Sequence, residues 1–159
     1  MTNTLEVGAE APQFDLPRNG GGNISLAEFK GKSVILYFYP KDDTPGCTTE
    51  AIEFTAEKAK FTRAGAVVIG MSKDSASKHD KFVNKHDLKV ALASDEEGTT
   101  LNEYGVWVEK TNYGRKYMGI ERTTFLIDKT GKIIRIWRKV RVKGHVDDVL
   151  EATKAIAKN

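Results

Sequence analysis

Short apolar runs alternate along this chain with longer stretches whose apolar positions fall at helical spacing. Ser33 to Tyr39 is apolar and aromatic almost throughout and stops at Pro40, the pattern of a strand buried on both faces. From about Pro45 to Arg63, Ala51, Phe54 and Phe61 share one stripe, which predicts a helix closed by Gly65. Ala66 to Met71 reads as a second buried strand. Ser75 to Asp87 reads as a helix with Phe82 and Val83 as its apolar contacts. Val90 to Ala93 is a short strand, and Thr99 to Tyr104 has room for one or two helical turns. Thr123 to Ile127 and Lys132 to Trp137 flank Asp128-Lys129-Thr130-Gly131, a loop whose closing glycine signals a hairpin. Gly144 to Lys158 closes the chain as an amphipathic helix, with Val146, Val149, Leu150 and Ile156 inward.

Strand–helix–strand–helix–strand calls for a parallel sheet with right-handed crossovers, and the hairpin adds antiparallel strands. The expected fold is therefore α/β: a mixed central sheet flanked by helices, in one domain spanning residues 1–159. No repeat or low-complexity tract divides it, and Gly20-Gly21-Gly22 is only a flexible turn. The length allows one sizeable core. There is no apolar run of about 18 residues, so no membrane-spanning helix is expected. Met1 to Glu10 does not read as a secretory signal. A single cysteine leaves no internal disulfide and fits a reducing, cytoplasmic setting. The net charge of +3 is too balanced to argue for nucleic acid. Arg135 to Lys143 is the densest basic run and reads as a solvated strand face, with docking of an acidic partner as the sharper alternative.

That cysteine, Cys47, lies in the loop-to-helix junction Thr44-Pro45-Gly46-Cys47-Thr48-Thr49-Glu50. Thr44 is a favoured N-cap and Pro45 a favoured first helical residue, which puts Cys47 at the third helical position. There a sulfur would meet unpaired backbone N–H groups and the positive end of the helix dipole, and both favour a thiolate. A buried structural cysteine would belong in a strand or on an apolar stripe, not in a polar junction.

Pro40-x-x-x-Thr44-x-x-Cys47 resembles the active-site signature of the peroxiredoxins, and Gly119 to Asp128, with Arg122 just before a strand, resembles their second signature. The run Thr44 to Glu50, the tail Trp137 to Asp147 and the opening Gly8-x-x-Ala11-Pro12-x-Phe14-x-Leu16 are similar to the bacterioferritin comigratory protein, or Q-type, branch. The resemblance implies a thioredoxin-like fold, the layout the element order also suggests. It implies a thiol peroxidase in which Cys47 attacks hydrogen peroxide or an alkyl hydroperoxide and becomes a sulfenic acid. Arg122 would keep the thiolate ionised and stabilise the breaking O–O bond. Thr44 would hydrogen-bond the thiolate or the peroxide, Pro40 would shape and shield the pocket, and Glu50 would hold the arginine. No metal or organic cofactor is implied.

Members of that branch often carry a second cysteine, and the two usual places hold Ile52 and Val83 here. The resemblance then implies a one-cysteine cycle with an external thiol, either thioredoxin or glutathione with glutaredoxin, in a monomer or weak homodimer. A disulfide between the Cys47 residues of two subunits would need the helix end to unwind. His79 and His86 lie seven apart on one helical face, too far to share a metal, and both read as surface residues, while His145 stands apart. A disulfide oxidoreductase would want Cys-x-x-Cys, which is absent. A non-enzymatic peroxide sensor or redox-switched chaperone remains the alternative use of Cys47.

Overall fold

The structure is a computed structural model that describes residues 5–158. The opening segment read as lacking a secretory signal lies partly outside them.

The central sheet has five strands. β3 (Ser33–Phe38) lies in the middle, parallel to β4 (Ala66–Ser72) and antiparallel to β8 (Thr123–Ile127). β5 (Ala91–Ser94) continues the parallel half, and β9 (Ile133–Trp137) completes the predicted hairpin with β8. Along β3 the side chains divide by parity. Val34, Leu36 and Phe38 enter one hydrophobic layer, and Ile35, Tyr37 and Tyr39 enter the other. This is why the run reads as continuously apolar: both faces of the sheet are covered.

The second layer is built by the helices. α1 (Pro45–Ala56) and α2 (Lys58–Arg63) replace the single helix predicted over the same span. The break falls at Glu57, whose ψ of 5° departs from helical geometry, with no proline or glycine to mark it. Phe54 and Phe61 still both point inward, their rings 5.8 Å apart. α3 (Ala76–His86), the short α4 (Thr99–Glu103) and α5 (His145–Ala157) agree with the sequence reading to within about two residues. Gly70 on β4 is required by contact: a Cβ there would stand 2.7 Å from Tyr37 Cζ.

Two hairpins were not anticipated. β1 (Asp15–Pro17) pairs with β2 (Asn23–Ser25), and β6 (Trp107–Asn112) pairs with β7 (Arg115–Ile120). The second turns on Tyr113 and Gly114, both with positive φ (52° and 76°), as a type I′ turn requires. Asparagine or aspartate is the usual first residue of that turn, so tyrosine there gives no sequence signal. Most of the hairpin's side chains are exposed on both faces, which removes the alternation that would betray a strand.

Candidate active site

β3 ends on the central axis of the sheet, and the next eight residues decide the site. Pro40 is exposed at the head of the loop, Asp42 is buried, and Thr44 is the backbone N-cap of α1. The expected side-chain cap does not form. Thr44 Oγ1 instead donates to the Lys41 carbonyl at 2.8 Å, which tightens the loop rather than the helix. Thr48 N–H closes the first helical turn on Thr44 O at 2.8 Å. Among the described residues, no acceptor meets the N–H groups of Gly46 and Cys47.

Cys47 falls at the third helical position, as read from Thr44 and Pro45, and is 1% exposed. Its sulfur faces a cation. Arg122 Nη2 donates to Sγ at 3.2 Å, while Nη1 donates to Glu50 Oε1 at 2.6 Å. Cys47 and Glu50 are three apart on α1 and so share a helix face, where one guanidinium bridges both. Arg122 sits between β7 and β8, 75 residues downstream of Cys47. Glu121 N–H bonds Val106 O, and Val140 N–H bonds Arg122 O at 2.9 Å, so the arginine's backbone is strapped from two directions. A methyl on Gly46 would stand 3.2 Å from Nη2, so the absent side chain gives the guanidinium its place.

The strap corrects the reading of the basic run. Arg135 to Trp137 belongs to β9, but the strand stops there. Lys139 turns with φ of 49°, and the segment folds back over Arg122 instead of continuing as a strand face.

Burial and charge compete at this cluster. Burial pushes the Glu50 carboxyl up to about 7 against the downward pull of Arg122. Its second oxygen is buried without a partner among the described residues, in keeping with that cost. Burial works against the charge on Arg122, but Glu50 and Cys47 outweigh it and leave the guanidinium above its ordinary range. Lys110 of β6 is pushed down by burial and by Arg122, while Glu121 and Cys47 pull the other way. The unanticipated hairpin thus brings a second cation into the field of the site.

The histidines are the clearest error of the sequence reading. His79 is not a surface residue: it is fully buried, with Nδ1 2.7 Å from Asp42 Oδ2 and Nε2 3.0 Å from Ala93 O. His86 is half-buried, with Nε2 2.8 Å from Asp43 Oδ1. The signal was present in the sequence. His79, Phe82 and His86 are spaced as one stripe, and Phe82 already placed that stripe inward. His145 is buried as well, 2.8 Å from Thr124 Oγ1 and edge-on to Phe54 and Trp137.

Burial holds His145 down to about 4, assisted by Arg122. The folded state therefore prefers the neutral ring. Its stabilisation is complete above about 6.5, the unfolded value, and is lost as pH falls toward 4. Glu50 has the opposite sign: its raised value favours the folded state at low pH and loses that advantage as pH rises through about 7. The two slopes oppose each other between roughly pH 4.5 and 6.5, so His145 has to be isolated by difference. The unfolding free energy of wild type minus that of His145→Gln should shrink on the order of 3 kcal/mol from pH 7 to 4. Urea titrations at several pH values measure it, and a difference that does not change would refute the assignment.

A lone thiol at a helix start beneath an arginine, on a mixed sheet of thioredoxin-like topology, defines a thiol-based redox site. Residues 7–136 match the AhpC/TSA family. Peroxiredoxin Bcp of Bacillus subtilis is 49% identical over 151 residues, covering 95% of this chain and 96% of that protein. The bacterioferritin comigratory protein of Xanthomonas campestris, a protein with alkyl peroxide reduction activity, superposes with a TM-score of 0.89 at 42% identity over 96% of this chain and 98% of its own. PrxQ of Xylella fastidiosa gives 0.92 at 36% identity, covering 98% and 99%. The chain belongs to the AhpC/TSA family of peroxiredoxins, and its relatives are those of the Bcp, or Q-type, branch.

Proposed function

We propose that this chain reduces hydrogen peroxide and organic hydroperoxides at Cys47, using a thiol from outside the chain to complete the cycle. The observation that carries this reading is the bifurcated guanidinium: Arg122 reaches Sγ at 3.2 Å while Glu50 anchors its other nitrogen at 2.6 Å. A fixed positive charge stands beside the attacking sulfur. It also lies where negative charge spreads as the O–O bond breaks. Sulfur attacks the terminal peroxide oxygen, forming an S–O bond. The O–O bond breaks, and the leaving oxygen takes a proton and departs as water or alcohol. The oxidised sulfur, a sulfenic acid, keeps the transferred oxygen.

The N–H groups of Gly46 and Cys47 and the hydroxyl of Thr44 are the remaining polar groups at the mouth of α1 and would orient the peroxide. Pro40 is exposed at the head of the loop that leads there and would shape that mouth. Neither place where a second cysteine would resolve the intermediate holds one. Ile52 is exposed on α1 and Val83 half-buried on α3. The second step is therefore attack by an external thiolate on the sulfenic sulfur. An S–S bond forms, the S–O bond breaks, and the oxygen leaves as water; a second thiol then releases Cys47. Thioredoxin and glutathione with glutaredoxin both fit this chemistry. No metal or organic cofactor has a role in it, and a monomer or weak homodimer in the cytoplasm is enough to perform it. No helix among the described residues is long and apolar enough to cross a membrane.

The test is stopped-flow mixing with hydrogen peroxide, followed by mass spectrometry with each reductant system in turn. The expected result is oxidation far faster than that of a free thiol, one added oxygen on Cys47, and its removal under turnover. Cys47→Ser should abolish all of it. Oxidation at the rate of free cysteine would overturn the reading. A single oxidation that no thiol system reverses would favour the sensor or redox-switched chaperone.

A further inference from the structure

One buried polar cluster has no part in the chemistry at Cys47, yet it grips the loop leading to it. His79 reaches from α3 to Asp42 in the loop and to the Ala93 carbonyl on β5. The carbonyl can only accept, so Nε2 carries a proton. Asp42 is held twice more: its Oδ1 accepts from the Tyr39 hydroxyl at 2.5 Å, and its N–H donates to Asp74 Oδ2 at 2.8 Å. The Tyr39 hydroxyl also lies 3.4 Å from His79 Nδ1. Asp74 is fixed in turn by Ser72 Oγ at 2.8 Å and by Ser94 Oγ, which donates to its carbonyl. Next door, Asp43 turns the loop with φ of 60°, a conformation aspartate tolerates, and it receives Lys85 Nζ at 2.6 Å and His86 Nε2 at 2.8 Å. The loop is thus fastened along α3, and Thr44 Oγ1 passes the restraint on by bonding Lys41 O.

We infer that His79 and Asp42 are positioning residues for the reaction at Cys47: by tying the Lys41–Thr44 loop to α3 they hold the first turn of α1 in the arrangement that meets peroxide and restrain its opening to the external thiol. The inference rests on the thiol peroxidase reading. The two steps need opposite things of this loop. Attack on peroxide needs Thr44, the two free amides and Arg122 held around the sulfur. Attack by an outside thiol needs a sulfur that is 1% exposed to become accessible. A clamp at the loop should therefore speed the first step and slow the second, whereas a merely structural contact would shift neither once the folded fraction is counted.

The experiment uses Asp42→Ala, Asp42→Asn and Tyr39→Phe in the full chain, normalised by thiol titration and near-ultraviolet circular dichroism. Two rate constants are read: oxidation of Cys47 by hydrogen peroxide, and capture of the preformed sulfenic acid by the chromogenic thiol 5-thio-2-nitrobenzoate. Asp42→Ala should lower the first by about tenfold or more and raise the second by about threefold or more. Asparagine can still accept from Tyr39 and donate to a neutral His79 Nδ1, so Asp42→Asn should restore both constants to within about threefold of wild type. If the alanine variant does not fold, Tyr39→Phe decides, with the same two shifts at about threefold. Constants within about twofold of wild type in the folded alanine or phenylalanine variant, or asparagine as damaging as alanine, would overturn the inference. A wild-type protein whose Cys47 reacts no faster than free cysteine would instead remove the peroxidase reading on which it stands.

Discussion

Arg122→Ala should slow the oxidation of Cys47 by hydrogen peroxide about 10²–10³-fold, the usual cost of removing one preorganised donor from developing charge. Arg122 Nη2 is the only side-chain donor that reaches Sγ among the described residues. Arg122→Lys should recover only part of the rate. A lysine is a point charge on a flexible stem and cannot span Sγ and Glu50 Oε1 at once as the planar fork does. Fold and rate should separate in the alanine variant. Glu50, already raised to about 7, takes up a proton more readily once the arginine's downward pull is gone, so no unpaired charge is left buried. Stopped-flow fluorescence gives the rate and urea unfolding the stability. An alanine variant within about threefold of wild type would show that the guanidinium does not stabilise the transition state.

The reciprocal deletion should behave differently. Glu50→Ala strands Arg122, which cannot neutralise itself by losing a proton as a carboxylate can by gaining one. Removing one member of a buried ion pair costs about 3–5 kcal/mol, and the low end applies here because Arg122 keeps 16% side-chain exposure. Glu50→Gln leaves an amide oxygen to accept from Nη1 and should regain most of the loss. Activity should follow the same order, since the arm that aims Nη2 at sulfur is anchored through Nη1. Equal stability for the alanine and glutamine variants would mean that Glu50 fills space without orienting the arginine.

Much of this site could be read from residues. Thr44-Pro45 announced the start of α1 and put Cys47 at its third position, where the structure has it. The runs on β3, β4 and β8 announced themselves because strands covered on both faces need no alternation. What escaped was set by tertiary contact. The Thr44 hydroxyl takes the Lys41 carbonyl instead of a helix amide, a choice made by loop shape and not by propensity. The β6–β7 hairpin has no continuous buried face, and Tyr113 stands where its turn usually has asparagine or aspartate. The histidines were misread although Phe82 on the same stripe pointed inward; what the sequence did not offer was their partner. Asp42 lies 37 positions before His79, and only the crossover from β4 to α3 brings them together.

The strap from Val140 N–H to Arg122 O also bears on when the thiol becomes dangerous to peroxides during the life of the chain. Cys47 and Glu50 emerge from the ribosome early, Arg122 much later, and the residue that pins Arg122 later still. A nascent chain therefore holds Cys47 without a fixed arginine until its last fifth has folded back onto the Arg122 backbone. The reactive arrangement is thus a property of the finished tertiary structure, complete only when one of the last segments to be made is in place.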